Sequence, residues 1–124
     1  MRAQVDVVTL LLNLAVFAVG GCNPCSYGIQ REIRSPSGKM VAVVYQVDCG
    51  ATTDFATILS IKSSRERFSL YKNNNVALGV AGQETLSLSW QSDTELTVAM
   101  PTRVEIRTQK DVINGVTIHY QSAN

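Results

Sequence analysis

Along the second half of the chain, apolar side chains fall at every second position. Leu86, Leu88 and Trp90 form one such row, Leu96, Val98 and Met100 another, and Val116, Ile118 and Tyr120 a third. Val104 with Ile106 repeats the spacing, and Phe55, Thr57, Leu59 and Ile61 line up in the same way. Alternation of period two marks strands with one face turned inward. The segment 40–47 is instead almost continuously apolar, the pattern of a strand covered on both faces or central in its sheet. No window sustains the i, i+3, i+4 spacing of an amphipathic helix, so the folded body is expected to be all-β.

Turn chemistry falls between these rows. Ser35-Pro36-Ser37-Gly38 has a type I order: a side-chain acceptor first, proline with its fixed φ second, glycine last. It is expected to join a strand near residues 29–34 to one near 39–47. Residues 91–94 separate the Leu86 and Leu96 rows. Ile113-Asn114-Gly115 closes a last hairpin, for which two loop lengths compete. A two-residue Asn-Gly turn would set Ile118 against Asp111 and Tyr120 against Gln109. A three-residue loop sets Val112 against Val116 and Thr108 against Tyr120, keeping apolar residues together, and is the expected form. The count is seven or eight short strands in a small antiparallel sandwich or barrel.

The N-terminal stretch has a different character. Arg2 lies near the start, and residues 7–19 are apolar apart from Thr9 and Asn13. This layout reads as an export signal, shorter than the roughly 20 apolar residues of a spanning helix. It ends in Val19-Gly20-Gly21-Cys22, which resembles the bacterial lipobox: an aliphatic residue, two small ones, then cysteine. The resemblance implies a signal peptide over residues 1–21 and a diacylglyceryl thioether on Cys22, usually with an acylated amine such as palmitate. Residues 22–28 are then a lipidated tether and 29–124 a single all-β domain. A plain signal peptide cut elsewhere and an uncleaved anchor are the alternatives. Asn23 stands where an aspartate would signal inner-membrane retention in enteric bacteria, so an outer membrane is favoured if the cell has two.

Three cysteines less a lipidated Cys22 leave Cys25 and Cys49. An even pair outside the cytoplasm is expected to form a disulfide, two free thiols being the alternative. Net charge bears on partners: 11 basic against 10 acidic residues give +1, too little for the basic field that nucleic acid requires. With 124 residues the chain is too short for a dinucleotide-binding enzyme or an eight-unit βα barrel.

The most distinctive polar stretch is Asp48-Cys49-Gly50-Ala51-Thr52-Thr53-Asp54. Together with the upstream Ser-Pro-Ser-Gly-Lys turn, it is similar to a family of small bacterial lipoproteins or secreted proteins carrying a Cys-Gly-Ala-Thr-Thr loop. That likeness covers about residues 35–61 and implies no particular activity. Asp48, Thr52, Thr53 and Asp54 are the candidate binding loop. A calcium site would need six to eight oxygens, and the EF-hand spacing is absent. The plainer reading is a loop shaped by Gly50, tied by Cys49 and capped by Asp and Thr side chains on nearby amides.

Other chemistry is thin. Cys49 and His119 could formally pair as nucleophile and base, but His119 falls on the strand face opposite Ile118 and Tyr120. Zinc lacks ligands, and Cys22-Asn-Pro-Cys25 lacks the βαβ setting of a redox motif. No cofactor and no catalytic residue is expected. The leading expectation is a lipid-anchored, non-enzymatic interaction module of the cell envelope, held to the membrane and binding another envelope protein or a cell-wall component. A periplasmic inhibitor or immunity-type protein is the competitor, and a hydrolase a remote one.

Overall fold

The computed structural model describes residues 25–50, 55–69 and 75–123. Within them the chain forms nine strands and no helix: β1 (Ser26–Arg34), β2 (Met40–Asp48), β3 (Ala56–Ser63), β4 (Val76–Ala81), β5 (Ser87–Ser92), β6 (Glu95–Pro101), β7 (Ile106–Gln109), β8 (Val112–Ile113) and β9 (Val116–Ala123). They build two sheets, ordered β1-β2-β3-β4-β7 and β5-β6-β9-β8. The alternating rows turn inward between them. Leu86, Leu96, Val98, Met100, Val116 and Ile118 meet Ala42, Val44, Leu59, Ile61, Leu78 and Val80 in one core. This is the sandwich that the alternation implied.

Two hydrogen-bonded seams close its sides. At the β1/β5 side, the Arg31 guanidinium donates to the Leu86 carbonyl (2.7 Å) and the Trp90 indole N–H to the Ile33 carbonyl (3.0 Å). On the other side the Tyr120 hydroxyl reaches the carbonyls of Lys110 (2.7 Å) and Ala77 (3.2 Å), and the Asn114 amide reaches that of Ile61 (2.7 Å). Each bond adds a side-chain donor to a backbone carbonyl at the side of the sandwich.

The segment 40–47 is buried on both faces, for two separate reasons. Ala42 and Val44 face the sandwich core, while Val41, Val43 and Tyr45 form a second cluster on the outer face of the five-stranded sheet. Phe68, from the connection after β3, covers this cluster and sets its ring edge-on to Tyr45, with centroids 5.7 Å apart.

Four features depart from the sequence reading. First, β1 begins at Ser26, so residues 26–28 are strand rather than tether. Second, the final hairpin has a two-residue loop: Ile113 pairs with Val116 and Val112 with Thr117, with φ of 52° at Asn114 and 76° at Gly115. Positive φ at both central residues is the type I′ turn that Asn-Gly favours. The three-residue loop keeps apolar residues together only if residues 106–112 run on as one hairpin arm, with Thr108 opposite Tyr120. That arm does not exist, because β7 leaves for the other sheet and pairs with β4. Third, β9 pairs with β6 in parallel, Glu95 opposite Thr117 through Pro101 opposite Ala123, so the sandwich is not wholly antiparallel. Fourth, splitting residues 106–113 between two sheets raises the strand count to nine. By contrast, the turn at residues 35–38 forms as expected, the Gly38 amide donating to the Ser35 carbonyl at 2.8 Å.

The two ends of the sandwich differ. One gathers the turns at 35–38 and 93–94, where the Ser37 amide donates to Asp93 Oδ1 (3.1 Å). The other carries the start of β1, the end of β2, Phe55, the bend at Gly82 and the connection between β6 and β7, where the Ala81 amide donates to the Glu105 carbonyl (2.9 Å). The latter is the disulfide end.

Candidate functional site

Antiparallel pairing puts Ser26 opposite Asp48, so the next residues outward, Cys25 and Cys49, face each other at the tip of the β1–β2 ribbon. They are joined as a disulfide, with Cα atoms 3.8 Å apart and a separation of 24 positions in sequence. This is the expected pairing, and it replaces the Cys22–Cys25 combination on which a redox motif would depend.

Asp48 is the one member of the candidate loop within the described residues; Thr52, Thr53 and Asp54 lie outside them. The Asp48 carboxylate accepts from the Gly50 amide (3.0 Å), and its carbonyl accepts from the Ser26 hydroxyl (3.5 Å). Gly50 has φ of 105°, a backbone region that side chains resist. Asp48 thus caps the turn that leads out of β2, the structural role anticipated for it.

Beside it runs an open groove of about 350 Å³ lined by residues 26–30 of β1 together with Gln46, Asp48 and Phe55. Its chemistry is mixed: two carboxamides and one engaged carboxylate sit among two aromatic rings and an isoleucine. A lining of this kind suits contact with a surface or an extended partner, through apolar area and amide hydrogen bonds. Underneath, Thr57 is fully buried and satisfied; its hydroxyl donates to the Gly82 carbonyl (2.7 Å) and accepts from the Glu84 amide (3.0 Å). That pair of bonds fixes the bend bordering Phe55.

Cys49 and His119 are not brought into one site. Cys49 is bonded to Cys25, and His119 Nε2 lies 3.2 Å from Glu95 Oε1 on an exposed strand face. Among the described residues no three His, Cys, Asp or Glu side chains are grouped to hold a metal ion. Among the same residues no helix is long and apolar enough to cross a membrane.

Phe55 and Ile106, which the alternation places on inward faces, are exposed at the disulfide end, as is Ile29. Ile29 is 48% exposed, Phe55 37% and Ile106 44%. Phe55 is in phase with Thr57, Leu59 and Ile61 but precedes the first residue of β3. Ile106 is in phase with Val104, yet β7 is a short sheet edge whose four residues are all exposed. In both cases spacing gives the face and says nothing of whether an opposing layer reaches that far.

Comparison of the chain with protein-family models, with curated proteins and with solved structures gives no match.

Proposed function

We propose that this is a lipid-anchored protein of the bacterial envelope that acts by binding rather than turnover, with the disulfide end of its sandwich as the interaction end. The observation that carries the reading is the Cys25–Cys49 disulfide. Such bonds persist in oxidising compartments outside the cytoplasm. It also uses two of the three cysteines and leaves Cys22, the one that completes Val19-Gly20-Gly21-Cys22. A diacylglyceryl group with a further acyl chain supplies the two hydrophobic anchors that stable membrane attachment takes. Palmitate on Cys22 and a body folded beyond the membrane follow from the same reading.

Binding rather than turnover is supported by the make-up of the groove. Its one carboxylate is engaged with the Gly50 amide, while Ile29 and Phe55 lie open beside Gln30 and Gln46. Crosslinking in intact envelopes, comparing the wild type with Cys22→Ala, tests the proposal. The wild type is expected in the membrane fraction with discrete adducts to envelope components. Cys22→Ala is expected to lose membrane attachment and those adducts together. Identical fractionation and identical adducts for the two proteins would overturn it.

A further inference from the structure

The lipidated cysteine would stand very close to the folded body. Only Asn23 and Pro24 separate Cys22 from Cys25, which the disulfide pins to the end of β2. Three Cα–Cα steps span at most about 11 Å, less than half the thickness of a bilayer's hydrocarbon core. A tether that short fixes which end of the domain approaches the membrane. The end so held is also the one that exposes apolar side chains. The large hydrophobics exposed among the described residues are Ile29, Phe55, Ile106 and Val112. Ile29 and Phe55 line the groove beside the disulfide. Ile106 pairs with Val80, one position from Ala81, whose partner Ala56 adjoins Phe55. Val112 alone lies at the opposite end, opposite Thr117 and hence beside Glu95 at the start of β6.

We propose that the disulfide end rests against the interface of the bilayer holding Cys22, with Ile29, Phe55 and Ile106 in contact with lipid. This rests on lipidation of Cys22 and names the partner of the groove described above. Charged residues on this rim are of both signs, Asp48, Glu84 and Glu105 with Arg103 and Arg107. Contact is therefore apolar and enforced by the tether, and it requires no anionic lipid. Exposed isoleucine and phenylalanine held at the headgroup boundary bury area that would otherwise face water. The domain then stands on the membrane by one end, and the turns at 35–38 and 93–94 point away from it.

The test uses the full-length protein, purified from membranes and reconstituted in vesicles of phosphatidylcholine with brominated acyl chains. Phe55→Trp and Val112→Trp place a reporter at either end, and the wild type supplies the Trp90 background. Both sites are exposed, so either change is tolerated by the fold; Ile106→Trp is the substitute reporter for the disulfide end. Incorporation of labelled palmitate is measured on the same preparations. The expected result is labelled protein in which bromine quenches Phe55→Trp at least about threefold more than Val112→Trp, given the roughly 20 Å spanned by a seven-residue strand between the ends. Labelled protein with equal quenching at both ends would overturn the orientation and leave the anchor standing. Protein without palmitate would overturn both. A Phe55→Trp signal unquenched in vesicles, with position 55 crosslinking to a protein in native envelopes, would assign the face to a protein partner instead.

Discussion

Trp90 donates its indole N–H to the carbonyl of Ile33 across the gap between the two sheets, at 3.0 Å. The ring packs on the core that Leu96 and Val98 line, so one side chain contributes apolar burial and closes the β1/β5 margin. Trp90→Phe keeps much of the first and removes the second. It leaves the Ile33 carbonyl without this donor and opens space beside the core. Stability is expected to fall by about 1–3 kcal/mol, read as a lower urea midpoint with an unchanged slope.

Reduction of Cys25–Cys49 releases the outer end of the β1–β2 ribbon. On the chain-entropy model a loop of this size contributes about 3 kcal/mol through the unfolded state. The paired variant Cys25→Ser with Cys49→Ser is expected to remain all-β by circular dichroism and to melt roughly 10 °C or more below the wild type. Dithiothreitol should shift the wild type by a similar amount and leave the double variant unmoved.

Tyr120 should govern part of the alkaline response. Burial, and after it the negative charge of Asp111, push its hydroxyl up to about 12. The unfolded chain ionises this group near pH 10, ahead of the folded one. Its contribution is therefore intact below pH 10 and declines between pH 10 and about 12. A loss of about 1–2 kcal/mol over that window is expected after allowance for solvent screening. Tyr120→Phe should be less stable at neutral pH by about 1 kcal/mol, and its stability should fall less steeply above pH 10.

Asp93 should act at the acid end. Hydrogen bonds from the Ser37 side chain and backbone, then from the Ser35 side chain, hold its carboxyl below the ordinary value of 3.8, with Lys39 adding to the effect. A depressed carboxylate stabilises the fold above its unfolded value, and that contribution is lost as pH falls through the lower, folded one. Asp93→Asn should flatten the stability profile below about pH 4, where the wild type loses its tie between the turns at 35–38 and 93–94. Chemical denaturation at a series of acid pH values reads the difference directly.

Local pattern carried the strands whose partners are close in sequence. The Leu86 and Leu96 rows pair across two turn residues, and the Ser35-Pro36-Ser37-Gly38 turn announces itself through proline and glycine. What escaped is non-local. Nothing in residues 95–101 or 116–123 signals that they run side by side in parallel, because that pairing depends on where β7 and β8 have gone. The Asn114-Gly115 turn departs from expectation for the same cause: its own chemistry favours two residues, and only a long hairpin would favour three. Phe68 sits in a stretch without periodicity, so its role over Tyr45 was invisible. At the candidate site, the cysteine pairing and the capping role of Asp48 were legible from count and chemistry. The exposure of Ile29, Phe55 and Ile106 was not, since it depends on how far the second sheet extends.

The most direct test of the account is the mass of the N-terminal peptide of the protein recovered from its own cell. A mature chain beginning at Cys22 and carrying a diacylglyceryl thioether with an amide-linked acyl chain is the result the account predicts. An unprocessed Met1 terminus in the cytosolic fraction, with an unmodified thiol at position 22, would contradict it.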